Sequence, residues 1–191
     1  MADYERQDKF KDFLKKEPLR SRLLDYAERH GITGDTFGGE DREMFQLMEA
    51  FDRAFADKII RGLGETFYNY NLEQRLDGWF TTGGTIHNLE IKARFYDLNS
   101  TTRQWAWCVD EEKYHEMLDG DAWLLYLWVN SANPLEVSWA LWDVSKTKPS
   151  DVPIRCRKSV AKSASGVKNK VQKGWVIRDA EHTGKAVGRV A

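Results

Sequence analysis

From residue 3 to about residue 62, apolar side chains return every three or four positions, the spacing of helices that each bury one face. The pattern is broken at Glu17-Pro18 and again by the loop Gly31-Ile32-Thr33-Gly34-Asp35-Thr36-Phe37-Gly38-Gly39. Its last stretch is the most regular: Met44, Leu47, Met48, Phe51, Phe55 and Ile59 make one apolar stripe, which Gly62 and Gly64 end. The period then drops to two. Residues 72–80 and 86–95 read as strands around Thr82-Gly83-Gly84-Thr85, and residues 104–109 as a shorter one. Residues 110–118 read as a short helix with Asp110 as N-cap. Residues 122–129 and 135–144 are aromatic-rich strands joined through Asn130-Ser131-Ala132-Asn133-Pro134. Helices, strands, a helix and further strands in that order predict a mixed α/β (α+β) sheet flanked by helices.

Composition narrows the function classes. The 191 residues, 41% of them hydrophobic, suffice for one real core. No run approaches the roughly 18–20 apolar residues of a membrane span, and the N-terminus has no apolar signal-peptide core, so the expected compartment is the cytoplasm, with no membrane partner. Cys108 and Cys156 are the two cysteines, which excludes a disulfide scaffold and a cysteine-rich zinc module. His30, His87, His115 and His182 are scattered, without HExxH spacing, and His87 alternates onto the expected core face as a structural histidine. Neither a GxxxxGK[ST] phosphate loop nor a nucleophile-elbow pattern is present. Trp123, Trp128, Trp139 and Trp142 read as core or dimer interface, base stacking being the less common use of strand aromatics.

The net charge of −1 conceals a division, because residues 145–191 carry 12 Lys and Arg against three Asp and Glu, a net +9, and residues 1–144 a net −10. A polyanion is drawn to the first segment and, without bound cations, repelled by much of the second. The chain therefore divides into residues 1–148, holding helices and sheet, and a basic segment, 149–191. In that segment Lys158, Lys162, Lys168, Lys170 and Lys173 are candidate nucleic-acid contacts, each phosphate contact adding salt-dependent affinity. A solubilising charged tail is the alternative. Gly174-Trp175-Val176-Ile177-Arg178 within it reads as a strand.

Gly83-Gly84 suits a two-residue hairpin turn, whose type I′ form needs positive φ at both positions. With Thr82 facing Thr85, Asp77 falls opposite Glu90, Arg75 opposite Lys92 and Trp79 opposite Asn88. Alternation puts these six on one polar face, and Leu76, Phe80, Leu89, Ile91 and Ala93 on a core face. Facing Cβ atoms are about 4.5–5.5 Å apart, where like charges repel. A divalent cation relieves that repulsion: Mg²⁺ typically takes one or two carboxylates and keeps several waters, and Lys92 on the same face could serve an attacking water. A surface ladder of ion pairs, with Arg75 diagonal to Glu90 and Asp77 diagonal to Lys92, answers the same pattern without chemistry.

Asp77 within Leu76-Asp77-Gly78, followed after twelve residues by Glu90-Ile91-Lys92, resembles the active-site signature of the PD-(D/E)XK nuclease superfamily, the restriction-endonuclease-like fold. The setting is similar too: a preceding helix, an Asp ending one strand, an acidic-X-Lys on the next, then a helix and a further strand, over roughly residues 41–130. Leu76 stands where the motif has its proline. The resemblance implies a Mg²⁺- or Mn²⁺-dependent nuclease acting most often on DNA. By it, Asp77 and Glu90 ligate the metal, the backbone carbonyl of Ile91 joins them, and Lys92 serves the nucleophilic water. It also implies a third acid from the preceding helix. Glu49, at the edge of the apolar stripe, is the first candidate; Asp52 is the rival, inside the stripe beside Met48, Phe55 and Ile59, where an unpaired carboxylate is costly. Lys113, on the following helix, stands where relatives carry a polar residue near the site, a solvated lysine beside its helical acids being the alternative.

Cutting both strands of a duplex takes two sites, which makes a homodimer a candidate assembly. Two other classes fit the same composition. One is a nucleic-acid-binding or assembly protein that keeps the fold without cleaving; the other is an interaction module that docks a partner through its Trp-rich strands.

Overall fold

The computed structural model describes residues 3–34, 41–70, 74–96, 108–130, 132–153, 171–175 and 177–187. Three helices come first: α1 (Asp3–Leu14), α2 (Leu19–Arg29) and α3 (Arg42–Gly62). α3 begins where the Asp41 carboxylate accepts the Met44 N–H at 3.1 Å, satisfying one of the amide donors that a helix N-terminus leaves open. Its expected stripe is its buried face: Met44, Leu47, Phe51, Phe55 and Ile59 lie in the core, with Met48 packed at the edge. α1 and α2 cover α3 through Phe10, Leu14, Leu23 and Tyr26, the Phe10 and Phe51 rings meeting edge to face at 5.1 Å.

These helices lie on one face of a six-stranded sheet ordered β1 (Phe67–Asn69), β2 (Gly78–Thr82), β3 (Thr85–Tyr96), β5 (Ala122–Asn130), β6 (Glu136–Asp143), β9 (His182–Val187). β3 and β5 are parallel, and the other neighbours are antiparallel. A parallel neighbour cannot be reached by a tight hairpin, and the crossover runs through β4 (Cys108–Asp110) and α4 (Glu111–Asp119). β4 joins β8 (Val171–Gly174) and β7 (Ser150–Pro153) in a small second sheet. β5 contributes to two cores. Leu125, Leu127 and Val129 face the N-terminal helices, whereas Leu124 and Tyr126 pack with Met117 of α4, Trp142 and Trp175. Burial on both faces is why its sequence, AWLLYLWVN, is a continuous apolar run. Trp123, Trp139 and Trp142 are buried and Trp128 half-buried. Among the described residues, no helix is long and apolar enough to cross a membrane.

The hairpin turn follows its chemistry: Gly83 and Gly84 have φ of 55° and 82°, and Thr82 pairs with Thr85. The expected register holds as far as Gly78 opposite Leu89 and then fails. Residues 71–73 lie outside the described residues, and residues 74–77 are not strand, so neither Asp77–Glu90 nor Arg75–Lys92 forms as a facing pair. Instead the Asp77 N–H donates to the Leu89 carbonyl at 3.0 Å, so that Asp77 and Gly78 both oppose Leu89 in a β-bulge. One extra residue reverses the alternation beyond it. Leu76 accordingly packs into the α4-side core, not beside Phe80 as expected. The expected polar face is corrected as well, since α4 covers it and Glu90 is 5% exposed. His87 does lie on the core side, its ring 5.2 Å from that of Trp123.

Elsewhere the boundaries shift. Residues 104–107 of one expected strand lie outside the described residues, its end appearing as β4. Asp110 occupies the N-cap position of α4 without a side-chain cap bond, its carboxylate accepting from Gln172 at 3.1 Å instead. The strand expected at residues 174–178 is displaced: β8 ends at Gly174 and Ile177–Asp179 is a 3-10 turn. The basic segment also supplies β9, which pairs with β6 as an edge of the main sheet.

Gly78 has no room for a side chain, because a Cβ there would lie 2.4 Å from the Tyr68 carbonyl oxygen and 2.5 Å from the Phe67 ring. Gly78→Ala is expected to lower stability by about 1–3 kcal/mol. Gly62, near the end of α3, has open space around it, and Gly62→Ala is expected to raise stability by about 0.4–1 kcal/mol. Urea unfolding midpoints of the two variants check both signs.

Candidate active site

Beyond the bulge the β2–β3 pairing stops, and among the described residues Ile91 has no strand partner on that edge. Its N–H donates to Asp77 Oδ2 at 2.7 Å, a side-chain carboxylate standing in for the missing backbone carbonyl. The N–H and C=O of a strand residue point to the same edge, so the Ile91 carbonyl is turned to the same fork. The other oxygen of Asp77, Oδ1, accepts from Nη2 of Arg53 on α3 at 3.2 Å. Arg53 Nη1 donates to the Asp77 backbone carbonyl, and Nε donates to Glu49 Oε2 at 3.3 Å. Glu49 and Arg53, four residues apart, share one helix face, which is how α3 brings both to the fork.

Glu90 approaches from β3 beneath α4. Asn88, two residues earlier, helps to seat that helix by donating to the Gly120 carbonyl at 2.6 Å. Lys113 Nζ, on α4, donates to the Arg75 carbonyl at 2.8 Å and reaches Glu116 at 2.8 Å and Glu90 Oε1 at 3.5 Å. Burial alone would lower the Lys113 pKa; Glu116 and Glu90 reverse this and hold it above its ordinary value. Both readings of Lys113 therefore contain part of the geometry, since it pairs within its helix and across to the fork. Glu90 Oε2 is buried, with no hydrogen-bond partner among the described residues. Burial, then the charge of Asp77, pushes the Glu90 carboxyl up to about 9, against the pull of Lys113 and Lys92.

The two candidates for the third acid lie in the same environment. Burial and Asp77 raise the Glu49 pKa. Burial, followed by Glu49 and Asp77, holds Asp52 well above the ordinary carboxylate range, and a carboxyl that keeps its proton escapes the cost of an unpaired buried charge. Lys92 is half-buried on β3 and favours the ionised forms of Glu49, Asp52 and Glu90.

The structure thus brings together Asp77, Glu90, Lys92, Glu49, Asp52 and Lys113. It commits Lys173 elsewhere: on β8 that side chain reaches Asp151 at 2.5 Å and Glu111 at 3.1 Å. Lys158, Lys162, Lys168 and Lys170 lie outside the described residues. Arg53 is the site residue that motif reasoning misses; its trace in the sequence is the four-residue spacing to Glu49 on α3, off the expected apolar stripe. No family model matches the chain, and neither a curated protein nor a solved structure does.

Among the described residues, no three Asp, Glu, His or Cys side chains are grouped to hold a metal ion between them. The donor set that is present, an unpartnered buried oxygen of Glu90 with Asp77 beside it, fits a hard cation held by one or two carboxylates and completed by water.

Glu90 also sets a pH dependence. Its folded pKa of about 9 lies above the ordinary 4.5, so between those values the folded chain retains a proton that the unfolded chain has released. The stability from this group is complete below about pH 4.5 and is lost as pH rises toward about 9. Glu90→Gln cannot ionise, and is expected to unfold at a higher temperature than wild type at about pH 8 while differing little at about pH 4.5. Thermal midpoints at the two pH values check it.

Proposed function

We propose that the chain is a cytoplasmic, Mg²⁺- or Mn²⁺-dependent nuclease with a restriction-endonuclease-like core, hydrolysing phosphodiester bonds in DNA. The observation that carries the reading is the partnerless Glu90 oxygen, buried beside Asp77 at a strand fork with Lys92 on the same strand. Desolvated, mutually repelling carboxylates are costly to assemble and are concentrated where chemistry needs them. The order α3, β1, β2, β3, β4, α4, β5 contains the helix, strand pair, helix and further strand of the resemblance, with β4 added before α4, and supports it further.

In this reading Asp77 and Glu90 hold the cation, with the Ile91 carbonyl as backbone donor and Glu49 as third acid, Asp52 being its rival. Bound there, the ion supplies charge stabilisation at the phosphoryl oxygens and a more acidic water. Lys92, two residues along β3 from Glu90 and on the same face, holds or takes the proton of the attacking water. Lys113 orients Glu90 from α4. Lys158, Lys162, Lys168 and Lys170 contact the nucleic-acid backbone, and two copies act together when both strands of a duplex are cut.

One observation favours a second reading. Arg53 and Lys113 already pair with Asp77 and Glu90, as expected of a nucleic-acid-binding protein that keeps the fold without cutting.

Cleavage of supercoiled plasmid and of labelled single-stranded DNA, with Mg²⁺, Mn²⁺ or EDTA, separates the two. Lys92→Ala is expected to lower metal-dependent cutting by about 10²–10⁴-fold, and wild-type cutting rates in that variant would remove Lys92 from the mechanism. Steeply salt-dependent binding with no cutting under any metal favours the second reading. Asp77→Ala discriminates less well, because it also strips the Ile91 N–H of its acceptor and leaves a buried guanidinium without its carboxylate.

A further inference from the structure

Arg53 belongs to no motif, yet the parts of the site meet through it. Its guanidinium, on a residue 2% exposed, donates to five acceptor atoms on three segments of chain. These are Glu49 Oε2 within α3, Asn69 Oδ1 and the Tyr70 carbonyl at the end of β1, and the backbone carbonyl and Oδ1 of Asp77 at the bulge. With the Ile91 N–H on Oδ2, each oxygen of Asp77 carries a donor. A carboxylate gripped from both sides cannot turn without giving up a charge-assisted hydrogen bond. Each oxygen keeps further lone-pair capacity, so the grip fixes the group without exhausting it.

The grip is itself supported. Asn69 Nδ2 donates to the Tyr26 hydroxyl at 3.2 Å and to His30 Nδ1 at 3.1 Å, so α2 holds the residue that helps to hold Arg53. The N-terminal helices, which the nuclease resemblance leaves aside, reach the fork by this route. A lysine could not do the same work, because one ammonium lacks the planar fork that meets acceptors on several segments at once.

We propose that Arg53 is the positioning residue of the acidic site: it fixes the Asp77 carboxylate at the strand fork and seats Glu49 beside it, so that ligands for a divalent cation are assembled before the cation arrives. The proposal rests on the reading of Asp77 as a cation ligand and is separable from cleavage itself.

Calorimetric titration of the full chain with Mn²⁺ tests it, on wild type, Arg53→Lys, Asp77→Asn, the double variant and Asn69→Ala, each checked for native circular dichroism. Arg53→Lys is expected to weaken Mn²⁺ binding by about 10- to 100-fold, and Asn69→Ala to weaken it less. In the Asp77→Asn background, Arg53→Lys is expected to cost much less than it does alone, because the arginine acts chiefly through that carboxylate. A merely structural arginine would lower the unfolding midpoint and leave the Mn²⁺ affinity of the folded protein where it was. Wild-type affinity in Arg53→Lys, losses that add in the double variant, or a wild type that binds no Mn²⁺ would each overturn the proposal. Should Arg53→Lys not fold, Asn69→Ala decides, since it leaves the ion pairs of the guanidinium in place, and unchanged affinity there overturns the proposal. A wild type that binds Mn²⁺ with the expected ratios and yet cuts no DNA retires the nuclease reading while the role of Arg53 stands.

Discussion

Carboxylates brought near one another and partly shielded from water repel and lose hydration, and at one corner of its sheet this chain sets Glu49, Asp52, Asp77 and Glu90 within reach of one another's charge. Much of the surrounding structure answers that constraint. Arg53 from α3 and Lys113 from α4 bring positive charge from opposite faces, and Glu90 and Asp52 are pushed toward their neutral forms by burial. A corner filled with well-packed apolar residues would serve stability as well or better. The concentration of acids at a break in strand pairing is therefore a feature to be read through chemistry, not through packing.

The sequence made legible those parts of the fold that repeat or that need special backbone. The α3 stripe, the Gly83-Gly84 turn and the apolar run of β5 are each announced by a spacing or by a residue type with one conformational use. The bulge at Asp77 is not, because an extra residue in a strand alters pairing without altering composition. From it follow the errors in the hairpin: the false facings of Asp77 with Glu90 and of Arg75 with Lys92, and the wrong face for Leu76. The burial of Glu90 depends on α4 docking over β3, a long-range event that no local period records. Arg53 was hidden for a related reason, since a charge off the α3 stripe reads as solvated, and its burial follows from partners 16 to 24 residues away as well as from Glu49.

The two ends of the chain do more than charge and pattern imply. The N-terminal helices complete the core with α3 and, through Tyr26 and His30, hold Asn69 at the end of β1. The basic segment places Trp175 in the α4-side core and Lys173 between two carboxylates. Charge along a chain reports what a folded surface will attract, and says little about which stretches are built into the fold.

The main sheet ends on one side in β1, three residues long, and on the other in β9, which sets the exposed Lys185 opposite Ser138. Short or charged borders make poor templates for a foreign strand. The apolar β5 and β6 are enclosed between those borders, out of reach of intermolecular backbone pairing. Resistance to aggregation is thus built into the perimeter of the sheet, and self-association, where it occurs, is directed to side-chain surfaces and away from continuation of the sheet.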